Sequence, residues 1–178
     1  MLALYVTIWI GLVLFALGET GRILQGTGGR ARWAWWAFAA GLVSTIVHTL
    51  LAFDLVHDWI HDDAVRSTAM QTEAVFGVAA GWGVYVNYAF LGIWLADLWW
   101  WRAAPAGRIR PGVLTWTLRA FYMIVIFNGA VVFATGAGRL LGAAIVGWLC
   151  FVWTPGRKFT PALSAPHRRS SAGRRACR

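Results

Sequence analysis

Residues 2–18 carry no charged side chain, and four later stretches, 34–53, 74–100, 113–135 and 137–153, carry at most one each. A helix needs roughly 17–25 predominantly apolar residues to cross the hydrocarbon of a bilayer. An unpaired charge placed there costs at least about 2.5 kcal/mol. Charges crowded into short segments between long apolar runs are therefore what a polytopic membrane protein requires. Composition agrees: 13% of the 178 residues are charged and 59% are apolar, whereas soluble domains carry about 25% charged residues. The expected fold is an all-α transmembrane bundle of about five spans over those stretches, followed by a basic, disordered tail over 154–178 that lacks an apolar face.

The segments between the runs set the expected orientation. Residues 19–33 hold Arg22, Arg30 and Arg32 against Glu19, and residues 102–112 hold Arg102, Arg108 and Arg110 with no acid. Residues 54–73 hold Asp54, Asp58, Asp62, Asp63 and Glu73 against Arg66 alone. Basic segments stay in the cytoplasm, so the N-terminus and the acidic segment are expected outside and the tail inside. Trp33, Trp35, Trp36, Trp99, Trp100, Trp101, Trp116 and Trp153 fall at the expected inner interface, where an indole can keep its N–H wet. No basic n-region precedes the first run, so it reads as a retained span rather than a cleaved signal. Gly77 with Gly81 and Gly138 with Gly142 have the spacing of close helix contacts.

The net charge of +9 would raise nucleic-acid binding in a soluble chain, but the arginines here suit lipid headgroups and orientation. No nucleic-acid partner is expected; the bilayer is, with other membrane subunits as a further option. Cys150 and Cys177 form no Cys-x-x-Cys pair, which argues against a thiolate metal site.

The stretch over 48–63, HTLLAFDLVHDWIHDD, concentrates three of the four His residues and four of the seven acids. On a continuous helix Asp54, His57, Asp58 and His61 share an arc of about 100°, and an i, i+4 His pair can converge on one ion. Imidazole with carboxylate suits Zn, Mn, Fe or Cu. Asp58 stands where the His-Glu-x-x-His protease pattern needs Glu. The competing reading is a solvated helix end. His48 lies deeper, on the other side of that helix, and with Asn128, Tyr85 and Asn87 it is expected to form a polar pocket in the outer half; an interhelical hydrogen bond is the simpler role. Asp97 and Arg119 read as a structural ion pair or as separate interfacial residues. Haem is disfavoured, because bis-His ligation needs His on two facing helices and His167 lies in the tail. There is no Gly-x-Ser-x-Gly and no phosphate loop, and Ser44 and Thr45 read as hydroxyls bonded back to helix carbonyls.

Residues 48–64, centred on His57, Trp59 and His61, and residues 83–101, GVYVNYAFLGIWLADLWWW, resemble a group of bacterial multi-pass membrane proteins with a His/Asp-rich second span. The resemblance implies a bacterial cytoplasmic membrane location and no particular activity. Three functions remain in view: a metal-binding protein using Asp54, His57, Asp58 and His61; a non-catalytic accessory or scaffold subunit; and a membrane enzyme or transporter with a pocket around His48 and Asn128.

Overall fold

The computed structural model describes residues 2–24, 32–103 and 110–154; the basic tail beyond Thr154 lies outside them. Among the described residues the regular structure is helical throughout. It comprises α1 (Leu2–Leu24), α2 (Arg32–Val56), α3 (His61–Phe76), α4 (Gly83–Ala103), α5 (Gly112–Phe127), a π-helical turn (Asn128–Val132) and α6 (Gly136–Trp153). Four segments are long and apolar enough to cross a membrane: α1, α2, α5 with its π turn, and α6. The 21-residue α4 is not among them, because Asn87 and Asp97, with Tyr85, Tyr88 and its tryptophans, dilute its hydropathy.

Several boundaries depart from the sequence expectation. The first apolar run continues as helix through Leu24, so Glu19 and Arg22 belong to α1 and not to a connecting loop. The expected span over 74–100 is two elements. Residues 74–76 close α3, Gly77 adopts φ 70° and donates its N–H to the Glu73 carbonyl at 2.8 Å, and α4 begins only at Gly83. A left-handed glycine is a common helix stop, so Gly77 and Gly81 are not a helix-packing pair. Most of the acidic segment is α3 itself, with Asp62 and Asp63 in its first turn, where negative charge favours the helix dipole.

Lipid tails are as apolar as leucine, so close packing must hold a membrane bundle together. Here small residues and interlocked rings do so. A Cβ on Gly41 would lie 2.9 Å from the Gly11 carbonyl oxygen, and one on Gly18 would lie 2.7 Å from Phe38 Cβ. These glycines let α1 and α2 run backbone to backbone. Beyond them, Phe15 of α1 meets Trp94 of α4 edge to face at 4.9 Å and Tyr122 of α5 at 5.1 Å. Phe38 of α2 lies 5.3 Å from the same Trp94. All four rings are buried, and each such pair adds about 0.5–1.5 kcal/mol beyond its area. The π turn, closed by Phe133 N–H to the Asn128 carbonyl at 2.9 Å, sets the Ala130 carbonyl against Gly142 of α6, where a Cβ would overlap it. Gly138, the other half of that pair, receives Trp9.

Gly41→Val should therefore be destabilising by about 1–3 kcal/mol, as overpacking is. It should lower the melting temperature in detergent, while Gly92→Ala, with nothing within 4 Å of the added Cβ, should not. Equal melting of both variants and the parent would refute a tight α1–α2 seam.

Candidate functional site

One end of the bundle collects the finish of α1, α4 and α6 and the start of α2 and α5. The other collects α3 and the opposite helix ends. A cavity of about 390 Å³ lies in this second half, walled by α1, α2, α4, α5 and the π turn, with Ala64 and Thr68 of α3 also lining it. Its walls are mainly apolar. The polar side chains reaching it include His48, His57, Asn87 and Tyr88.

His48 lies eight residues before the end of α2, roughly 12 Å along the helix. Its Nδ1 lies 2.9 Å from the Leu4 carbonyl oxygen of α1. A carbonyl only accepts, so Nδ1 carries the proton and Nε2 of the neutral ring is an acceptor. Nearby, Ser44 Oγ donates to the Thr7 carbonyl of α1 at 2.8 Å, and Thr45 Oγ1 bonds back to Gly41 at 2.9 Å. Thus Thr45 makes the local bond expected of it and Ser44 reaches across to the neighbouring helix. Of the expected pocket residues, His48 and Asn87 line the cavity. Tyr85 instead bonds His61 Nε2 at 3.2 Å. Asn128 donates its amide to the Ile124 carbonyl one turn back, at 2.7 Å, and is not among the residues facing the cavity.

The four proposed metal ligands are not brought together. Their shared face needs an unbroken helix, but α2 ends at Val56 and α3 starts at His61. Asp58 and Trp59 between them take left-handed backbone angles, φ 45° and 59°. For residues other than glycine this is strained by about 1–3 kcal/mol each. Compensation comes from Trp59: its N–H bonds the Phe53 carbonyl at 3.0 Å and its indole N–H donates to Asp54 Oδ1 at 3.0 Å. Both ring nitrogens of His61 are engaged, Nε2 by Tyr85 and Nδ1 by Tyr88 at 3.2 Å. His57 turns toward the cavity. Among the described residues no three His, Cys, Asp or Glu side chains are grouped to hold an ion, so the donor set does not fit a metal as folded.

The constellation that sequence reasoning missed lies at the arginine end. Asp97 is 3% exposed. Its carboxylate accepts from Arg22 Nη1 at 3.1 Å, from Arg110 Nη2, and from the Tyr122 hydroxyl at 3.3 Å. Arg119, the partner considered from sequence, does not take part. Glu19, 2% exposed, faces Arg22 Nη1 at 2.7 Å and accepts from Trp153 Nε1 at 3.1 Å. The Glu19–Arg22 contact is a close charge pairing, not an aligned hydrogen bond, since Glu19 Oε1 receives no well-directed N–H. Burial pulls the Arg110 guanidinium below its ordinary pKa, with the like charge of Arg22 adding and Glu19 opposing. The visible signal was Glu19 and Arg22 at i, i+3 with Asp97 interrupting an apolar run.

Compared with protein-family models, curated proteins and solved structures, the chain matches none. What fold and site define is thus a class: a protein helical throughout its described regular structure, with four helical segments long and apolar enough to cross a membrane.

Removing one partner of a buried ion pair typically costs about 3–5 kcal/mol. Asp97→Ala should lose stability on that scale in detergent unfolding, because it strands Arg110 and leaves Arg22 with Glu19 alone, and Asp97→Asn should lose less. An Asp97→Ala protein that unfolds like the parent would show the network to be dispensable.

Proposed function

We propose that this chain is a five-span protein of the bacterial cytoplasmic membrane, N-terminus outside, that binds a small, largely apolar molecule bearing a hydrogen-bond donor such as a hydroxyl. In this reading α4 is the fifth span: its 21 residues reach about 31 Å at 1.5 Å per residue, against roughly 30 Å of hydrocarbon. Orientation follows from charge. Arg22, Arg32, Arg102, Arg110 and Arg119 gather at one end, and Asp54, Asp58, Asp62, Asp63 and Glu73 at the other. The positive-inside rule then puts the cavity in the outer half. With Cys150 and Cys177 replaced by serine, a membrane-impermeant maleimide should label Met70→Cys on intact cells and leave Thr154→Cys unlabelled. The reverse labelling would invert the orientation.

The ligand assignment rests on one observation. His48 faces a mainly apolar cavity with Nδ1 committed to Leu4, so its remaining ring nitrogen can receive a donor from a guest. Ligand pockets commonly run about 300–1,000 Å³ and combine apolar walls with a few convergent polar groups. The adjoining π turn supports the reading too, since such turns recur at functional sites.

A medium-chain isoprenoid alcohol should raise the melting temperature of the purified protein more than the matching hydrocarbon does. That difference should vanish in His48→Leu. It should also vanish in Gly129→Leu, which fills the cavity from a position where an added Cβ meets nothing within 4 Å. No shift with either probe overturns the reading and puts an accessory subunit of a larger membrane complex first. Metal bound in proportion to chain, and lost in a His57→Ala/His61→Ala double variant, would restore the metal reading instead.

A further inference from the structure

We propose that the crevice between α5 and α6 at the arginine end binds the phosphate of an anionic glycerophospholipid, with Arg119 as the phosphate-binding residue. This crevice shares no lining residue with the His48 cavity.

The charge balance of that end leads to it. Three guanidinium groups, Arg22, Arg110 and Arg119, lie around two buried carboxylates, Glu19 and Asp97. Asp97 is taken by Arg22, Arg110 and Tyr122, and Glu19 by Arg22 and Trp153. Arg119 is left over. Its Nε is buried without an acceptor, and among the described residues its guanidinium forms no ion pair within 4 Å: it rests on the faces of Trp116 and Trp153, with ring centroids 5.2 and 5.6 Å away, and feels Glu19 only through space. An arginine at membrane depth is costly unless it finds an anion. It sits seven residues into α5, about 10 Å from the helix end, within reach of a headgroup for a side chain that snorkels.

The surroundings fit a lipid better than a free ion. Arg119 lines a crevice of about 370 Å³ whose other walls include Trp116, Met123, Cys150 and Trp153. A guanidinium fork matches phosphate oxygens, and the apolar walls beside it suit an acyl chain. Among the described residues, free phosphate would find one arginine and no further charged donor on those walls. Basic pockets between helices near the cytoplasmic face are known to favour anionic headgroups.

The test is native mass spectrometry of the delipidated full chain in mild detergent, titrated separately with phosphatidylglycerol, phosphatidylcholine and inorganic phosphate. A single phosphatidylglycerol should stay bound, about tenfold more weakly in Arg119→Gln, as for loss of a charged hydrogen bond. Ala120→Trp, which fills the crevice from an exposed lining position, should weaken it similarly, and Arg66→Gln on α3 should not. In a Cys177→Ser background the bound lipid should also slow maleimide labelling of Cys150. Equal retention of phosphatidylcholine overturns the proposal, as does retention unchanged by both crevice variants. Displacement of phosphatidylglycerol by inorganic phosphate would make the free ion the ligand and overturn the lipid assignment. Should Arg119→Gln fail to fold, Ala120→Trp decides.

Discussion

The Asp97 carboxylate is the tie on which the arginine end of this bundle depends. A carboxylate taken from water loses far more than a typical contact returns, unless nearly every lone pair finds a donor. Asp97 finds its donors on α1, on the segment just before α5, and on α5 itself. One side chain of α4 therefore fixes three other parts of the chain. Arg22 extends the tie to Glu19, and Glu19 holds the last residue of α6 through Trp153. Because these groups are ionic and partly desolvated, splaying the helices there would expose several unpaired charges at once.

Among the described residues the opposite half has no comparable ionic tie between helices. There the helices are joined by single hydrogen bonds to backbone carbonyls, Ser44 to Thr7 and His48 to Leu4, by the bonds of His61 to Tyr85 and Tyr88, and by ring contacts such as Phe53 with Tyr88 at 6.5 Å. Such interhelical hydrogen bonds are worth only about 0.6–2 kcal/mol each. A bundle clamped by charge at one end and lightly joined at the other can keep a cavity in the lightly joined half without losing its overall packing.

Much of the helical layout was legible because it follows from apolar length alone, as α6 at Gly136–Trp153 against 137–153 illustrates. The end of α1 was not. Glu19 looks like the exit from the membrane when its partners are unknown, and those partners, Arg22 apart, lie far along the chain. The break at residues 57–60 was equally hidden: no Gly or Pro marks it, and it is held by the Trp59 indole on Asp54. That break turns the neat helical arc of Asp54, His57, Asp58 and His61 into separate environments. His48 was legible as a polar residue that needs a partner at depth. The Asn128 role was not, because a short amide can satisfy itself on the preceding turn, and nothing in the sequence announces which choice it makes.

The π turn connects this last point to the cavity. Widening α5 at Asn128–Val132 closes a hydrogen bond across five residues and shifts the α-helical register of the residues beyond it. Two consequences sit side by side in the structure: the Ala130 carbonyl meets Gly142, and the bare backbone of Gly129 faces the cavity. A regular α-helix would present its side chains here in a different register. Small residues on α6 are thus needed where the widened turn pushes outward, at Gly142, and a residue without a side chain is useful where it opens inward, at Gly129. At the other end of the same two helices the demand reverses. Trp116 and Trp153 flank an arginine, and bulk there separates α5 from α6 enough to leave a crevice.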